Sequence, residues 1–322
     1  MRSFDIRTCS RTVARLGVTL MSLATFPAAW RAQPSDSAGT ANFAGPGKTS
    51  TFAFEWRKGM IFIPARLNGS KPLSFVLDTG STRNLIDRTL ATTLGLKASG
   101  AGSLQGAGAG RIPVAFIHGV GIALPGLESA GYEFSTADLQ PLAASLGVRV
   151  DGILGCEIFS RFVVTVDYQA KRLTLTLPEA FRPPSGSAQV LPIELRDKWA
   201  FVKAELVLPG PVAVEDSFLI DSGSSDAVDH PIIMNLQSRV PATSGVGLGA
   251  PVPGATAQAV SFRLGRYSVT APTVSCCGAT DATSRLIGNE VLRRFTVTFD
   301  YPDARIFITP NSYLDEPFPA SQ

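Results

Sequence analysis

The stretch Phe75-Val76-Leu77-Asp78-Thr79-Gly80-Ser81 carries an apolar run directly into a carboxylate, a hydroxyl, a glycine and a second hydroxyl. The apolar residues predict a buried strand, and Gly80 permits a tight turn where a β-carbon would clash. A carboxylate brought to a turn inside a protein is costly unless it is paired or hydrogen-bonded. Asp78 is therefore a candidate functional residue.

The same pattern returns 143 residues later as Phe218-Leu219-Ile220-Asp221-Ser222-Gly223-Ser224. One Asp-[Ser/Thr]-Gly turn is common and means little by itself. Two such turns, each after an apolar run and each followed later by an apolar-apolar-Gly segment, indicate a shared site. The sequence predicts that Asp78 and Asp221 act together.

A longer internal repeat supports this pairing. Gly155–Thr176 aligns without gaps on Gly288–Thr309, and ten of the 22 positions are identical. The chain is therefore interpreted as two copies of one β-rich unit, a pseudo-dimer within one polypeptide. The predicted fold is all-β, with two lobes related by a pseudo-two-fold axis, each a β-barrel with short helices. Such an axis would bring Asp78 and Asp221 together.

Composition shifts divide the chain into six parts. The predicted order is a signal peptide 1–32, a flexible leader 33–50, a first lobe 51–178, a linker 179–189, a second lobe 190–310 and a tail 311–322. Within the lobes, Asp87 is predicted to cap a short helix over Arg88–Leu94, and Asp229 with Pro231 is predicted to begin another, where His230 is interpreted as a helix-start residue and not as a catalytic base.

The N-terminal residues have the pattern of an export signal. Four arginines precede the apolar run Leu16–Phe26, which is too short to span a bilayer comfortably. The protein is expected to be exported, periplasmic or secreted, with no stable membrane span after cleavage; an uncleaved signal anchor is the alternative. The formal charge of +3 depends on this segment, because 24 basic and 25 acidic residues follow it. No basic stripe is left for nucleic-acid binding.

Two adjoining buried carboxylates cannot both ionise at moderate pH, because like charges repel, so the pair retains one proton over a useful range. One carboxylate can then take a proton from a water while the other gives a proton to a carbonyl oxygen. This is amide hydrolysis without a covalent intermediate, and no metal or cofactor is expected. Supporting residues are predicted in pairs: Thr79 and Ser222 to tie the turns, Ser81 and Ser224 to donate to the outer carboxylate oxygens, and Gly80 and Gly223 to present backbone N–H groups.

The two Asp turns, with Asp151-Gly152-Ile153-Leu154-Gly155 and Leu286-Ile287-Gly288, resemble the pepsin and retropepsin-like aspartic proteases. The resemblance covers about residues 52–310. It implies a monomeric endopeptidase whose Asp turns meet at the lobe interface, with a peptide or protein substrate bound under two hairpin flaps. The flaps would be Gln105–Arg111 and Ser244–Pro251, with substrate-binding glycines Gly106, Gly108, Gly110, Gly247 and Gly249.

The chain departs from pepsin in three ways: the first flap has no Tyr, the pepsin disulfides are missing and the lobes are shorter. The glycine-rich flaps look more like the retroviral kind, joined in one chain as in exported bacterial relatives. The second hypothesis is a catalytically inactive peptide-binding protein on the same scaffold.

Other chemistries have weaker support. The glycine-rich stretches lack the Gly-x-x-x-x-Gly-Lys-[Ser/Thr] of a phosphate-binding loop, and no Cys/His zinc pattern is present. Cys276 and Cys277 are compatible with a vicinal disulfide or with two reduced thiols. Further pairs are predicted to be structural: hairpin residues Asp167 and Asp300, and ion pairs within each lobe among Glu157, Arg161, Glu290 and Arg294.

Overall fold

A computed structural model describes residues 41–210, 212–244, 247–277 and 284–318, without the side chains of Ser244 and Cys277. These residues are mostly β-strand, in agreement with the predicted all-β class. The predicted signal peptide lies outside the described residues. No helix in the described ranges has the length and apolar character needed to cross a membrane.

The first half of the chain contributes twelve described strands and three helices. The strands are β1 Ala41–Phe43, β2 Thr49–Ala53, β3 Glu55–Arg57, β4 Met60–Leu67, β5 Leu73–Leu77, β6 Asn84–Asp87, β7 Ser99–Gln105, β8 Arg111–Leu124, β9 Leu127–Ala137, β10 Gly152–Leu154, β11 Val163–Asp167 and β12 Arg172–Thr176. The helices are α1 Arg88–Thr93, α2 Gln140–Leu146 and α3 Cys156–Arg161. A 3-10 turn at Pro178–Ala180 follows.

The second half, from residue 189 onward, contributes twelve more described strands and one helix. The strands are β13 Gln189–Arg196, β14 Trp199–Leu208, β15 Val212–Ile220, β16 Val228–Asp229, β17 Val240–Ser244, β18 Val252–Gln258, β19 Ser261–Leu264, β20 Tyr267–Thr270, β21 Thr273–Cys277, β22 Leu286–Ile287, β23 Phe295–Asp300 and β24 Arg305–Pro310. The helix is α4 Asn289–Leu292, and a 3-10 turn occupies Pro231–Asn235.

Among the described residues the strands form two sheets. The nine-stranded sheet has the order β1-β9-β6-β10-β5-β4-β8-β7, with β3 on β4, and comes wholly from the first half. The fifteen-stranded sheet has the order β17-β18-β21-β16-β22-β15-β14-β13-β24-β23-β11-β12-β2, with β19 on β14 and β20 on β19. The second sheet therefore joins β2, β11 and β12 of the first half to the second half.

Each Asp turn follows a strand that lies inside a sheet and pairs with a neighbouring strand on both sides. The strand β5 pairs in parallel with β10, and β15 pairs in the same way with β22. Central strands buried on both faces are apolar throughout, which explains the runs before Asp78 and Asp221. The register extends into the turns, because Asp78 N–H donates to Leu154 O (3.0 Å) and Asp221 N–H to Ile287 O (2.9 Å).

The two repeats meet across a local two-fold relation. The strands β11 and β23 pair antiparallel, with Thr165 opposite Thr298. These threonines are equivalent in the sequence repeat, and their hydroxyl oxygens are 2.9 Å apart. Equivalent residues face each other in this way only when a two-fold axis passes between them.

The halves also share aromatic packing behind this strand pair. Phe159 of α3 is fully buried and lies edge-on to Phe299 (centroids 5.3 Å apart) and stacked on Tyr301 (5.4 Å). Truncating a buried phenylalanine of this kind costs about 3–5 kcal/mol. The core is therefore continuous from one repeat to the other.

Described parts of the predicted leader and of the predicted tail pack against the rest of the chain. Part of the predicted flexible leader forms strands, since β1 pairs with β9 and β2 begins at Thr49 and pairs with β12. The prediction of flexibility was wrong there because sheet edges offer backbone partners that composition does not reveal, and because Phe43 packs against Phe162. The described part of the tail is anchored by Arg294, which donates to the carbonyls of Tyr313 and Leu314.

The local predictions had mixed outcomes. Asp87 caps α1, accepting from Leu90 N–H at 3.0 Å, as predicted. Asp229 does not cap the following turn: His230 Nδ1 accepts from Ile232 N–H instead (3.1 Å). Pro231 removes one backbone donor that a capping carboxylate would need.

The predicted ion pairs formed in one repeat only. Arg161 pairs with Glu157 at 2.5 Å, as expected. In the second repeat Glu290 pairs with its neighbour Arg293 (3.0 Å), while Arg294 turns inward to the tail carbonyls.

Candidate active site

Four buried hydrogen bonds join the two Asp turns. Thr79 Oγ1 donates to Ile220 O (2.6 Å) and accepts from Ser222 N–H (2.9 Å). In return, Ser222 Oγ donates to Leu77 O (2.9 Å) and accepts from Thr79 N–H (3.0 Å). A hydrogen bond of this kind contributes about 0.5–1.5 kcal/mol to the free energy of unfolding, so the four together contribute roughly 2–6 kcal/mol. The reciprocal pattern has the same two-fold relation as the β11–β23 pair, and it brings together the residues that the sequence pattern had matched.

The glycines of the turns bring each carboxyl group against the opposite turn. A β-carbon built on Gly80 would lie 2.6 Å from Asp221 Cγ, and one on Gly223 would lie 2.4 Å from Asp78 Cγ. Both distances are far inside van der Waals contact. Each carboxyl group is also bonded within its own turn, since Gly80 N–H donates to Asp78 Oδ1 and Gly223 N–H to Asp221 Oδ1, both at 2.8 Å.

Burial sets the charge state of the pair. Desolvation raises the pKa of Asp78 well above its ordinary value, and the adjacent Asp221 charge raises it further. Desolvation also raises the pKa of Asp221, against the lowering effect of the Gly223 N–H and of a hydrogen bond from Asp78. Each carboxyl group therefore affects the pKa of the other. The pair holds one proton between its two titration steps.

The serines that follow the glycines have a different role from the predicted one. Ser81 Oγ donates to Arg83 O (2.8 Å), and Ser224 Oγ accepts from Asp226 N–H (3.2 Å). The backbone N–H groups of Gly80 and Gly223, followed by those of Ser81 and Ser224, favour the ionised carboxylates and lower their pKa values. The prediction of hydroxyl donors was wrong because these short side chains close their own local turns instead.

Two polar side chains that the sequence analysis did not single out also hold the turns. Trp199 Nε1–H of β14 donates to Gly80 O (2.7 Å). Asn289 of α4 is fully buried, and its Nδ2 donates to Ser222 O (2.7 Å) and to Gly59 O (2.8 Å). Asn289 begins the helix right after the second apolar-apolar-Gly segment, so its position was a usable signal. Nothing in the sequence pointed to Trp199.

The repeats differ directly behind the turns. Tyr168 O–H donates to Asn289 Oδ1 (3.0 Å). The equivalent tyrosine of the second repeat, Tyr301, lies near Cys156, which occupies the position equivalent to Asn289. The buried Cys156 thiol donates to Thr82 O (3.0 Å), and burial raises its pKa to about 11. The Tyr301 hydroxyl has no hydrogen-bond partner in the described part of the chain.

A third buried carboxyl group lies beside the site. Asp229 is 6% exposed, and its Oδ1 has no partner among the described residues. Desolvation raises its pKa well above the ordinary value, and the charges of Asp226 and Asp221 raise it further. Burial and the neighbouring negative charges therefore favour the neutral form of Asp229.

The two predicted flaps contact each other at their tips. The first is the loop 106–110 between β7 and β8, and the second is the loop between β17 and β18, described from residue 247. Ala109 and Ala250 exchange backbone hydrogen bonds of 2.8 and 2.9 Å, and Gly249 N–H donates to Ala107 O (2.8 Å). A β-carbon on Gly249 would lie 2.4 Å from Ala107 O. Gly249 thus permits close backbone packing, Gly106 packs against Leu248 and Gly247 against Ala107 in the same way, and a β-carbon on Gly110 would meet nothing within 4 Å.

Within the described ranges, no group of three or more His, Cys, Asp or Glu side chains is arranged to hold a metal ion.

Comparison with known families supports the resemblance over one part of the chain. A search of curated proteins found no match. The matched stretch of the family comparison includes Asp78, the segment Asp151–Gly155 and the start of α3, and it ends before Asp221. Over residues 63–158 the chain matches the family model described as aspartyl protease.

Proposed function

We propose that the protein is an exported, monomeric aspartic endopeptidase with the two-lobed architecture of the pepsin and retropepsin-like enzymes. The observation that carries this proposal is the reciprocal bonding of Thr79 and Ser222, with each turn's glycine against the other turn's carboxyl group. The family match over residues 63–158 supports the class of enzyme. The two-fold relation of β11 and β23 supports two equivalent lobes.

The proposed reaction needs one shared proton. The ionised carboxylate of the dyad takes a proton from a water, and the oxygen of that water attacks the peptide carbonyl carbon. The protonated carboxyl group gives its proton to the carbonyl oxygen, which forms a neutral tetrahedral diol. When the C–N bond breaks, the carboxyl group that took the water proton gives it to the leaving amine, and the other carboxylate takes a proton from a hydroxyl of the diol, so the dyad again holds one proton.

The raised pKa values of Asp78 and Asp221 support this scheme, because they keep a proton on the pair at pH values where free carboxyl groups are ionised. The contacting flap tips support the proposed mode of binding. Parting the Ala109–Ala250 bridge would admit an extended peptide, and closure would shield it from bulk water.

The test is cleavage of a mixed peptide library by wild type, Asp78→Asn and Asp221→Asn, from about pH 3 to pH 7. Each variant is expected to lose cleavage while retaining the wild-type circular dichroism spectrum. Normal turnover by either variant would overturn the assignment of the dyad.

A catalytically inactive peptide-binding protein is the second candidate. It is favoured by the asymmetry behind the turns, where Asn289 is matched by Cys156, and by the end of the family match before Asp221. Binding of a statine-type transition-state mimic without turnover of any library peptide would support this candidate over the protease.

A further inference from the structure

The two Asp turns carry opposite charges at one equivalent position. Arg83 follows Asp78 by five residues, and Asp226 follows Asp221 by five. The structural environments match as well. A β-carbon on Gly155 would lie 2.5 Å from Arg83 O, and one on Gly288 would lie 2.3 Å from Asp226 O. The two-fold relation of the turns therefore places Arg83 and Asp226 on opposite sides of the dyad.

The Arg83 side chain is exposed and lies toward the first flap hairpin. Its guanidinium carbon is 5.2 Å from the centre of the Phe116 ring, and Phe116 belongs to β8, the strand that leaves the flap. A guanidinium group stacked on an aromatic face keeps its N–H groups free for a carboxylate. Among the described residues, no ion pair involves Arg83.

A second cation lies on the same side. Lys198 is exposed in the turn between β13 and β14. The neighbouring Trp199 bonds to Gly80, so this turn adjoins the first Asp turn. The charges of Lys198 and Arg83 both act on Cys156, directly behind that turn. This side of the dyad is therefore positive.

Asp226 gives the other side a negative charge at pH values above its pKa, which desolvation raises. Its side chain is exposed and its N–H is bonded to Ser224 Oγ (3.2 Å). Its charge acts on both Asp221 and Asp229, so it lies on the second side of the dyad. No described ion pair neutralises it. Gly59, in the turn between β3 and β4, packs against Ser225, the residue before Asp226, and the exposed Lys58 precedes Gly59 in the same turn.

We infer that the cleft selects peptides of opposite charge at their two ends, with an acidic side chain near Arg83 and a basic side chain near Asp226. This inference rests on the proposed function, because it takes an extended peptide to lie across both turns. The pseudo-symmetric turns offer nearly the same backbone groups to a peptide in either direction. The unequal charges then distinguish one direction from the other, and acidic-to-basic order along the peptide becomes a specificity determinant.

The test uses four labelled peptides with one neutral apolar core and a Glu or Lys a few residues to either side: Glu-core-Lys, Lys-core-Glu, Glu-core-Glu and Lys-core-Lys. Cleavage (kcat/KM) and binding (fluorescence anisotropy) are both measured. One of the two mixed peptides is expected to be favoured over its reverse by about fivefold at low salt, as for exposed ion pairs. The preference is expected to shrink at high salt because of screening.

The decisive variant is the double exchange Arg83→Asp with Asp226→Arg, which leaves the net charge unchanged. It is expected to invert the order of the two mixed peptides. The matched control exchanges Lys97→Asp and Asp315→Lys, two exposed residues outside the turns, and is expected to keep the wild-type order.

Equal binding and cleavage of the two mixed peptides by wild type, or an order that survives the double exchange, would overturn the inference. The outcomes separate this inference from the proposed function. Cleavage without a charge preference refutes the inference alone, whereas a charge preference in binding without cleavage supports the inference and refutes the protease.

Discussion

Gly80 and Asp221 belong to different halves of the chain and lie in direct contact. A β-carbon on Gly80 would fall 2.6 Å from Cγ and Oδ1 of Asp221 and 2.8 Å from Oδ2. No side chain fits in that space, so each turn can bring its carboxyl group to the dyad only because the other turn has a glycine.

Gly80→Ala is therefore expected to displace the Asp221 carboxyl group and to reduce kcat by at least a hundredfold, since misplacing a reacting group by about 1 Å has that effect. Gly45→Ala is the control, because a β-carbon at Gly45 meets nothing within 4 Å. The measurement is kcat with folding checked by circular dichroism. Wild-type kcat in Gly80→Ala would contradict the close contact.

Thr79→Val keeps the shape of the side chain but removes its hydroxyl, which leaves Ile220 O and Ser222 N–H without their partner. Unsatisfied buried groups cost about 1–3 kcal/mol each, so urea unfolding is expected to show that the two groups together lower the free energy of unfolding by about 2–6 kcal/mol. Thr79→Ser retains the hydroxyl and is expected to recover most of the loss. Equal stabilities of the Val and Ser variants would show that the hydroxyl is not needed.

The pH profile of kcat/KM is expected to be bell-shaped. Burial raises the pKa of both dyad carboxyl groups, so the single shared proton persists above the ordinary carboxyl range near pH 4. Activity falls at low pH when both groups are protonated and at high pH when both are ionised. Asp226→Asn removes a charge that raises the Asp221 pKa, so its acidic limb is expected to move to lower pH. Asp315→Asn is the control, and a shift of equal size there would assign the effect to net charge.

Asp229→Asn is expected to stabilise the protein at neutral pH. The folded-state pKa of Asp229 is raised, so the folded form binds its proton more tightly than the unfolded form. Its stabilising contribution is therefore full below the unfolded pKa near 4 and is lost as pH rises toward the folded pKa. The Asn variant lacks this loss, so its advantage in urea unfolding is expected to grow from pH 4 to pH 7.

The matched variant for that experiment is Asp87→Ala. Asp87 accepts hydrogen bonds from Leu90 and Leu139 N–H groups, and removing a helix N-cap costs about 1 kcal/mol. At pH 7 we expect Asp229→Asn to raise the free energy of unfolding and Asp87→Ala to lower it. A loss of stability in Asp229→Asn at every pH would mean that its carboxyl group is needed in place.

Cys156→Asn would give the first repeat the asparagine that the second repeat has at the equivalent position, Asn289. An asparagine there can accept a hydrogen bond from the unpartnered Tyr301 hydroxyl, as Asn289 accepts one from the Tyr168 hydroxyl. A satisfied buried hydroxyl is worth about 1 kcal/mol, so thermal unfolding is expected at a higher temperature. Cys156→Ala, which offers no acceptor, serves as the comparison. A melting temperature below that of Cys156→Ala would contradict the expectation.

Features with a local signal or repeated within the sequence were the ones that could be predicted from it. The match of Asp78 with Asp221 and the pairing of Thr79 with Ser222 follow from local pattern plus a two-fold relation, and the cap at Asp87 follows from local pattern alone. The bond from Trp199 to Gly80 could not be foreseen, because it joins side chain to backbone between residues that no repeat relates.

Where the prediction was wrong, a competing local partner decided the outcome. Ser81 and Ser224 bond within their own turns, and His230 takes the capping role expected of Asp229. Arg294 turns inward to the tail carbonyls, which leaves Glu290 to Arg293. In each case a group of similar chemistry lay one or a few residues away, and spacing alone could not choose between them.

The meeting of Thr165 with Thr298 across β11 and β23 has a genetic consequence. In an assembly of two identical subunits every codon change would appear on both sides of such an axis at once. Here each side has its own stretch of coding sequence, so natural selection can alter Arg83 without altering Asp226, or Cys156 without Asn289. One covalent chain thus retains the geometry of a symmetric pair while its two sides evolve separately.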